Sequence, residues 1–168
     1  MEGKGSTEYR DTWRGLRILV PEGWQVTRSG MGLLLHDQGG QRAIVVQPRP
    51  GAGSADDLRE DLVAWLKRFD PQAELRQEPN GSPEAWLCTV HARTSPGQES
   101  IGVFALQMRP TGGLISGFLA PVLTYEADSA TAVAALATLQ SLPVLSRYLW
   151  HEPAERAATA LVPRGWHV

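Results

Sequence analysis

The chain has 168 residues, 42% of them hydrophobic, which is enough for one ordinary domain with a continuous core. Sixteen basic residues stand against 18 acidic ones, a formal net charge of −2 with no basic block, so DNA and RNA are excluded as expected partners. A single cysteine, Cys88, excludes an internal disulfide framework, and no apolar run reaches the length of a membrane span or of a signal-peptide centre. The expected compartment is the cytoplasm, with export the alternative if a signal lies upstream.

Residues 1–12 are polar and Gly-rich and read as a flexible N-terminal arm. Leu16–Val20 is predicted to be a strand, stopped by a type I turn at Pro21-Glu22-Gly23-Trp24. Gln25–Arg28, Gly32–His36 and Arg42–Gln47 read as further strands, the last two joined by Asp37–Gly40. The Pro/Gly loop 48–53 leads to Ser54, an N-cap with Asp57 at capping-box spacing. Leu58, Leu62, Trp65, Leu66 and Phe69 then recur on one face of a helix that Asp70-Pro71 closes.

Residues 73–120 hold four strands separated by Asn80–Pro83, Ser95–Gln98 and Pro110–Gly113, which implies an antiparallel meander. Glu84–Thr94 alternates, with Trp86, Cys88, Val90 and Ala92 on one face. Ile101–Met108 and Leu114–Ala120 are apolar on both faces and require cover on each side. A second helix is expected at Ala130–Leu142, capped by Asp128 or Ser129, with Val133, Leu136, Ala137 and Leu139 turned inward and Pro143 ending it. The expected fold class is α+β, an α/β/α sandwich with a largely antiparallel central sheet flanked by helices.

Leu19-Val-Pro-Glu-Gly-Trp-Gln-Val26 recurs as Leu161-Val-Pro-Arg-Gly-Trp-His-Val168, identical at six of eight positions and offset by 142 residues. Solenoid units run to about 20–50 residues, so the repeating unit is a whole domain. The expected organisation is an arm at 1–12, a domain at 13–146, and a segment 147–168 that is either a C-terminal tail or the start of a second similar domain.

The Val20-Pro-x-Gly-Trp24 opening, the amphipathic first helix ending in Asp70-Pro71, the meander, and a last helix ending in Leu139-Gln-Ser-Leu142 together resemble the PsbP/Mog-type fold family and its bacterial relatives. Trp150-His-Glu-Pro153 followed by Leu161–Trp166 looks like the way a following domain of that kind begins. The resemblance implies an α/β/α sandwich and a mostly non-catalytic membership: an extrinsic photosystem subunit, a Ran-binding nuclear import factor, and chaperones that hold apolar segments of secreted effectors. No functional residue carries over from it.

Catalytic patterns are weak throughout. Cys88 and His91 lie three apart on a strand and point to opposite faces. The four histidines have no helical metal-ligand spacing, and neither Gly30-Met-Gly32 nor Gly112-Gly113 is built as a phosphate loop. Asp56, Asp57, Glu60 and Asp61 complement a helix N-terminus. No catalytic, cofactor-binding or metal-ligating residue is therefore expected. Of six tryptophans, Trp24, Trp65 and Trp86 fit a core, whereas Tyr148, Trp150 and Trp13 are candidates for contact with a partner, with docking of Trp150 onto the chain's own domain the favoured alternative. The expected function is a non-catalytic adaptor or scaffold domain that binds a protein or peptide, copies of itself included. The alternatives are a secretion or assembly chaperone that shields apolar segments, and a small enzyme whose site is assembled from dispersed residues in a pocket with convergent ionisable groups.

Overall fold

The computed structural model describes residues 5–12, 14–29, 32–78, 85–95, 98–110, 112–142, 147–151 and 159–163. Its elements run β1 (Thr7–Asp11), β2 (Leu16–Val20), β3 (Gln25–Ser29), β4 (Gly32–His36), β5 (Ala43–Arg49), α1 (Ala55–Leu66), β6 (Glu74–Gln77), β7 (Ala85–Ser95), β8 (Gln98–Arg109), β9 (Gly112–Pro121), α2 (Tyr125–Ala137), β10 (Gln140–Ser141), β11 (Arg147–His151) and β12 (Thr159–Pro163). The class is α+β.

Seven strands form one antiparallel sheet in the order β3-β4-β5-β9-β8-β7-β6. Alternation along β9 shows what each face meets. Ile115 and Leu119 belong to a core with Leu58, Leu62 and Leu66 of α1, together with Cys88, Val90, Phe104 and Leu106. Leu114, Phe118 and Ala120 belong to a second core with Ala132 and Ala135 of α2, Leu16, Ile18 and Val20 of β2, and Leu33, Leu35, Ile44 and Val46. The two helices therefore lie on opposite faces of the sheet.

Helix α1 forms where the local signals place it. The Asp57 amide donates to Ser54 Oγ at 3.2 Å, while Asp57 Oδ2 accepts from the Ser54 amide at 2.9 Å and the Gly53 amide at 2.7 Å. That is a complete capping box. These amides hold the Asp57 carboxyl below the usual carboxylate range.

Three expectations need correction. Part of the flexible arm is a strand: Thr7–Asp11 pairs with β2, Tyr9 packs on the second core, and Asp11, 4% exposed, closes the hairpin by accepting from the Arg14 amide at 3.0 Å and from Arg14 Nη1 at 2.8 Å. Helix α2 starts at Tyr125, five residues before Ala130, from a turn in which the Thr124 amide donates to Pro121 O, and Thr124 makes no side-chain cap bond. Asp128 serves instead as an acceptor for Arg42 Nη1 at 2.8 Å. Helix α2 buries Ala132 and Ala135, and of the expected stripe Leu136 and Leu139 pack on the second core, whereas Val133 is 63% exposed and Ala137 is also exposed.

The helix ends at Ala137, and Gln140–Ser141 forms β10 beside β2. The layer on that side is consistently mixed, with α2 next to the three-stranded sheet β1-β2-β10 rather than helix alone. Strands β11 and β12 form a separate antiparallel pair. Among the described residues, no helix is long and apolar enough to cross a membrane.

Candidate binding face

The cover on the α2 side stops partway across the sheet. Register rows read Ala120–Ile101–His91–Glu74, Phe118–Val103–Thr89–Arg76 and Ser116–Ala105–Leu87 from β9 outward through β8 and β7 to β6. In each strand these residues point away from α1. Phe118 and Ala120 are buried; one strand further, Ile101 and Ala105 are only half-buried and Val103 is 39% exposed. On β7, Leu87 is 39% exposed and His91 is open to solvent. The opposite side chains of the same strands, Cys88, Val90, Phe104 and Leu106, are fully buried under α1. Strands β8 and β7 are thus closed on one face and open on the other.

Leu87 lies opposite Ala105, and Val103 lies on the diagonal from it, so the apolar side chains form one patch. Thr89 Oγ1 beside them donates to Glu78 Oε1 at 2.6 Å. Charge gathers at one end of this face, in an open cleft of about 500 Å³ lined by Glu74, Arg76, His91, Arg93 and Glu99, with Asp70 and Ser100. Glu74 faces His91 across β6 and β7, and Arg93 faces Glu99 across β7 and β8. The Val122 amide donates to Glu99 O at 3.1 Å, which brings the β9–α2 turn to this end with Leu123 97% exposed.

Two of the polar groups in the cleft are held by their neighbours. Asp70 Oδ1 accepts from the Gln72 amide at 2.9 Å and Oδ2 from the Arg93 amide at 2.8 Å, so both oxygens are engaged. The Arg93 amide first and the Gln72 amide second hold this carboxyl below its ordinary range. Ser100 is buried, and its hydroxyl shares a 2.8 Å hydrogen bond with Thr94 Oγ1. Cys88 and His91 do lie on opposite faces. Cys88 is enclosed under α1, where burial pushes the thiol up and removes thiolate. Among the described residues, no three metal-ligating side chains converge.

Trp13 lies outside the described residues. Tyr148 and Trp150 are in β11, opposite Val162 and Ala160, and the structure describes their backbone only. Trp65 stacks edge-on against Phe69 at 5.0 Å and packs on the α1 core, as does Trp86; Trp24 packs on the other core beneath the Arg42 guanidinium, 5.8 Å away. The open face was missed by sequence reasoning, yet its signal is present. Ile101–Met108 is apolar on both faces, and the described chain covers only one of them.

At the level of sequence, no protein-family model and no curated protein matches this chain. Solved structures similar to it in shape include the following two. The cyanobacterial PsbP protein CyanoP of Synechocystis sp. PCC 6803 superimposes with a TM-score of 0.51 at 16% identity, over 84% of this chain and 96% of that one. The Ran-binding protein Mog1p of Saccharomyces cerevisiae superimposes with a TM-score of 0.53 at 10% identity, over 82% of this chain and 96% of that one.

Proposed function

We propose, from the PsbP/Mog-type fold that the chain shares with these proteins, that it is a non-catalytic protein- or peptide-binding domain whose partner completes the cover over β8 and β7. The observation that carries this reading is the burial step from Phe118 to Val103: the apolar row continues, but the covering layer does not. Leu87, Ile101 and Val103 offer apolar contact, and the cleft beside them offers charges of both signs, which suits an amphipathic segment with an apolar anchor and charged flanks. That a Ran-binding protein has the same fold supports protein binding as a use to which the fold can be put.

A chaperone that shields apolar segments would use this same face with less sequence preference. The enzyme alternative draws on the cleft, but engagement of both Asp70 oxygens and the burial of Ser100 count against it. The test is selection of displayed peptides on the wild-type domain, followed by binding to the Leu87→Glu, Val103→Glu double variant. The expected result is a set of peptides with a shared apolar anchor whose affinity falls about tenfold or more in the variant. Peptides that bind both proteins equally would contradict the proposal.

A further inference from the structure

We infer that β11 and β12 are the opening hairpin of a second domain of this same fold. The eight-residue repeat ends a strand in both places: Leu19-Val20 closes β2, and Leu161-Val162 lies in β12, each followed by proline. Each of these strands is the second of an antiparallel hairpin. The registers also agree. Val20 pairs with Thr7 and Ile18 with Tyr9; at an offset of 142, Val162 pairs with Tyr148 and Ala160 with Trp150. The offset on the first strand is then 141 (148 minus 7, 150 minus 9), so the two hairpins differ by one residue in their connection.

Residue chemistry follows this alignment at the turn end of the first strand, beyond the repeat that suggested it, though not at Thr7 and Glu8, which fall on Tyr148 and Leu149. Tyr9, the aromatic that packs inward, corresponds to Trp150; Arg10 corresponds to His151; and Asp11 corresponds to Glu152. Arg14, the partner of Asp11 in the first hairpin, corresponds on the second-strand offset to Arg156. The acid and arginine that clasp the first turn therefore recur in sequence, spaced three apart in the first copy and four apart in the second, which absorbs the extra residue. The first unit is already closed before this point, since β10 pairs with β2 and the Leu142 amide donates to Gly15 O at 2.7 Å. Only residues 143–146 lie between. The inference stands whether or not the open sheet face binds a partner.

The test compares the 168-residue chain with the natural reading frame extended by one repeat length. The extension is expected to show a capping-box helix and a hairpin-rich stretch at the 142-residue offset, and to raise the calorimetric unfolding enthalpy about twofold. Arg156→Gln is expected to lower the melting temperature of the extended protein by about 2–8 °C and to leave that of the 168-residue chain unchanged. Three results would overturn the inference: a reading frame without these elements, an extended chain with no added enthalpy, or an Arg156→Gln variant that destabilises the 168-residue chain as much as the extended one.

Discussion

The two faces of the seven-stranded sheet are built from the same strands but to different completeness. The α1 face is closed where Leu58, Leu62 and Leu66 meet Cys88, Val90, Phe104 and Leu106. The other face is closed over β4, β5 and β9 by α2 and β2, then opens at β8 and β7, with Val103 and Leu87 exposed. A strand buried on one face is enough to hold the fold, so apolar residues on its other face are free to serve another role. The difference separates the residues that stabilise this domain from those that the proposal assigns to a partner.

Six substitutions are ways to break or sharpen that contrast. On the closed face, Phe104→Ala and Leu58→Ala each remove a fully buried side chain, with an expected loss of about 2–5 kcal/mol in denaturant unfolding. Gly117→Ala comes next. It lies opposite Phe104, and a Cβ there would stand 2.4 Å from the Phe104 ring. The Val103 carbonyl oxygen stands 2.6 Å from the same point, so overpacking should cost about 1–3 kcal/mol.

A pH effect is smaller and has a definite sign. Asp70, Asp57 and Asp37 all have carboxyls held below the ordinary range in the folded chain. For Asp37, burial opposes the shift, and hydrogen bonds from Arg42 and Gln41 outweigh it. Between the folded and unfolded pKa values the unfolded chain binds more protons, so stability is full above the ordinary carboxylate range, about 4, and is lost as the pH falls below it. Asp70→Asn should flatten this acid limb, as read from melting temperature against pH. On the open face the smallest stability effect is expected: Leu87→Glu and Val103→Glu should each change stability by no more than about 0.5 kcal/mol. A large loss at either position would mean that this face is part of the core.

What could be read from the sequence follows how local each cause is. Helix α1 was legible because its cap, Ser54 with Asp57, and its stripe from Leu58 to Leu66 lie within one short segment. Helix α2 was read partly right: Leu136 and Leu139 do pack on the core, but its start was misplaced because its buried face is otherwise Ala132 and Ala135, which a search for large apolar residues passes over, and because Thr124 starts it without a side-chain cap. Strand β1 was read as an arm because only Tyr9 among its residues packs on the core, and its other support comes from pairing with β2. The open face was hidden for a different reason. An apolar pattern on both sides of Ile101–Met108 says that both sides avoid water, but which element covers each side is decided by chain segments far away in sequence. Tyr148, Trp150 and Trp13 were singled out for aromatic character alone; Trp13 lies outside the described residues, and only the backbone of the other two is described.

The most direct test of the central claim is backbone amide chemical-shift mapping of a selected peptide on the wild-type domain. The account predicts perturbations concentrated at Leu87, Thr89, His91, Ile101 and Val103 on β7 and β8, extending to Glu74 and Arg76 on β6. Perturbations centred on α1 or on the β3 edge, with β7 and β8 unchanged, would contradict it.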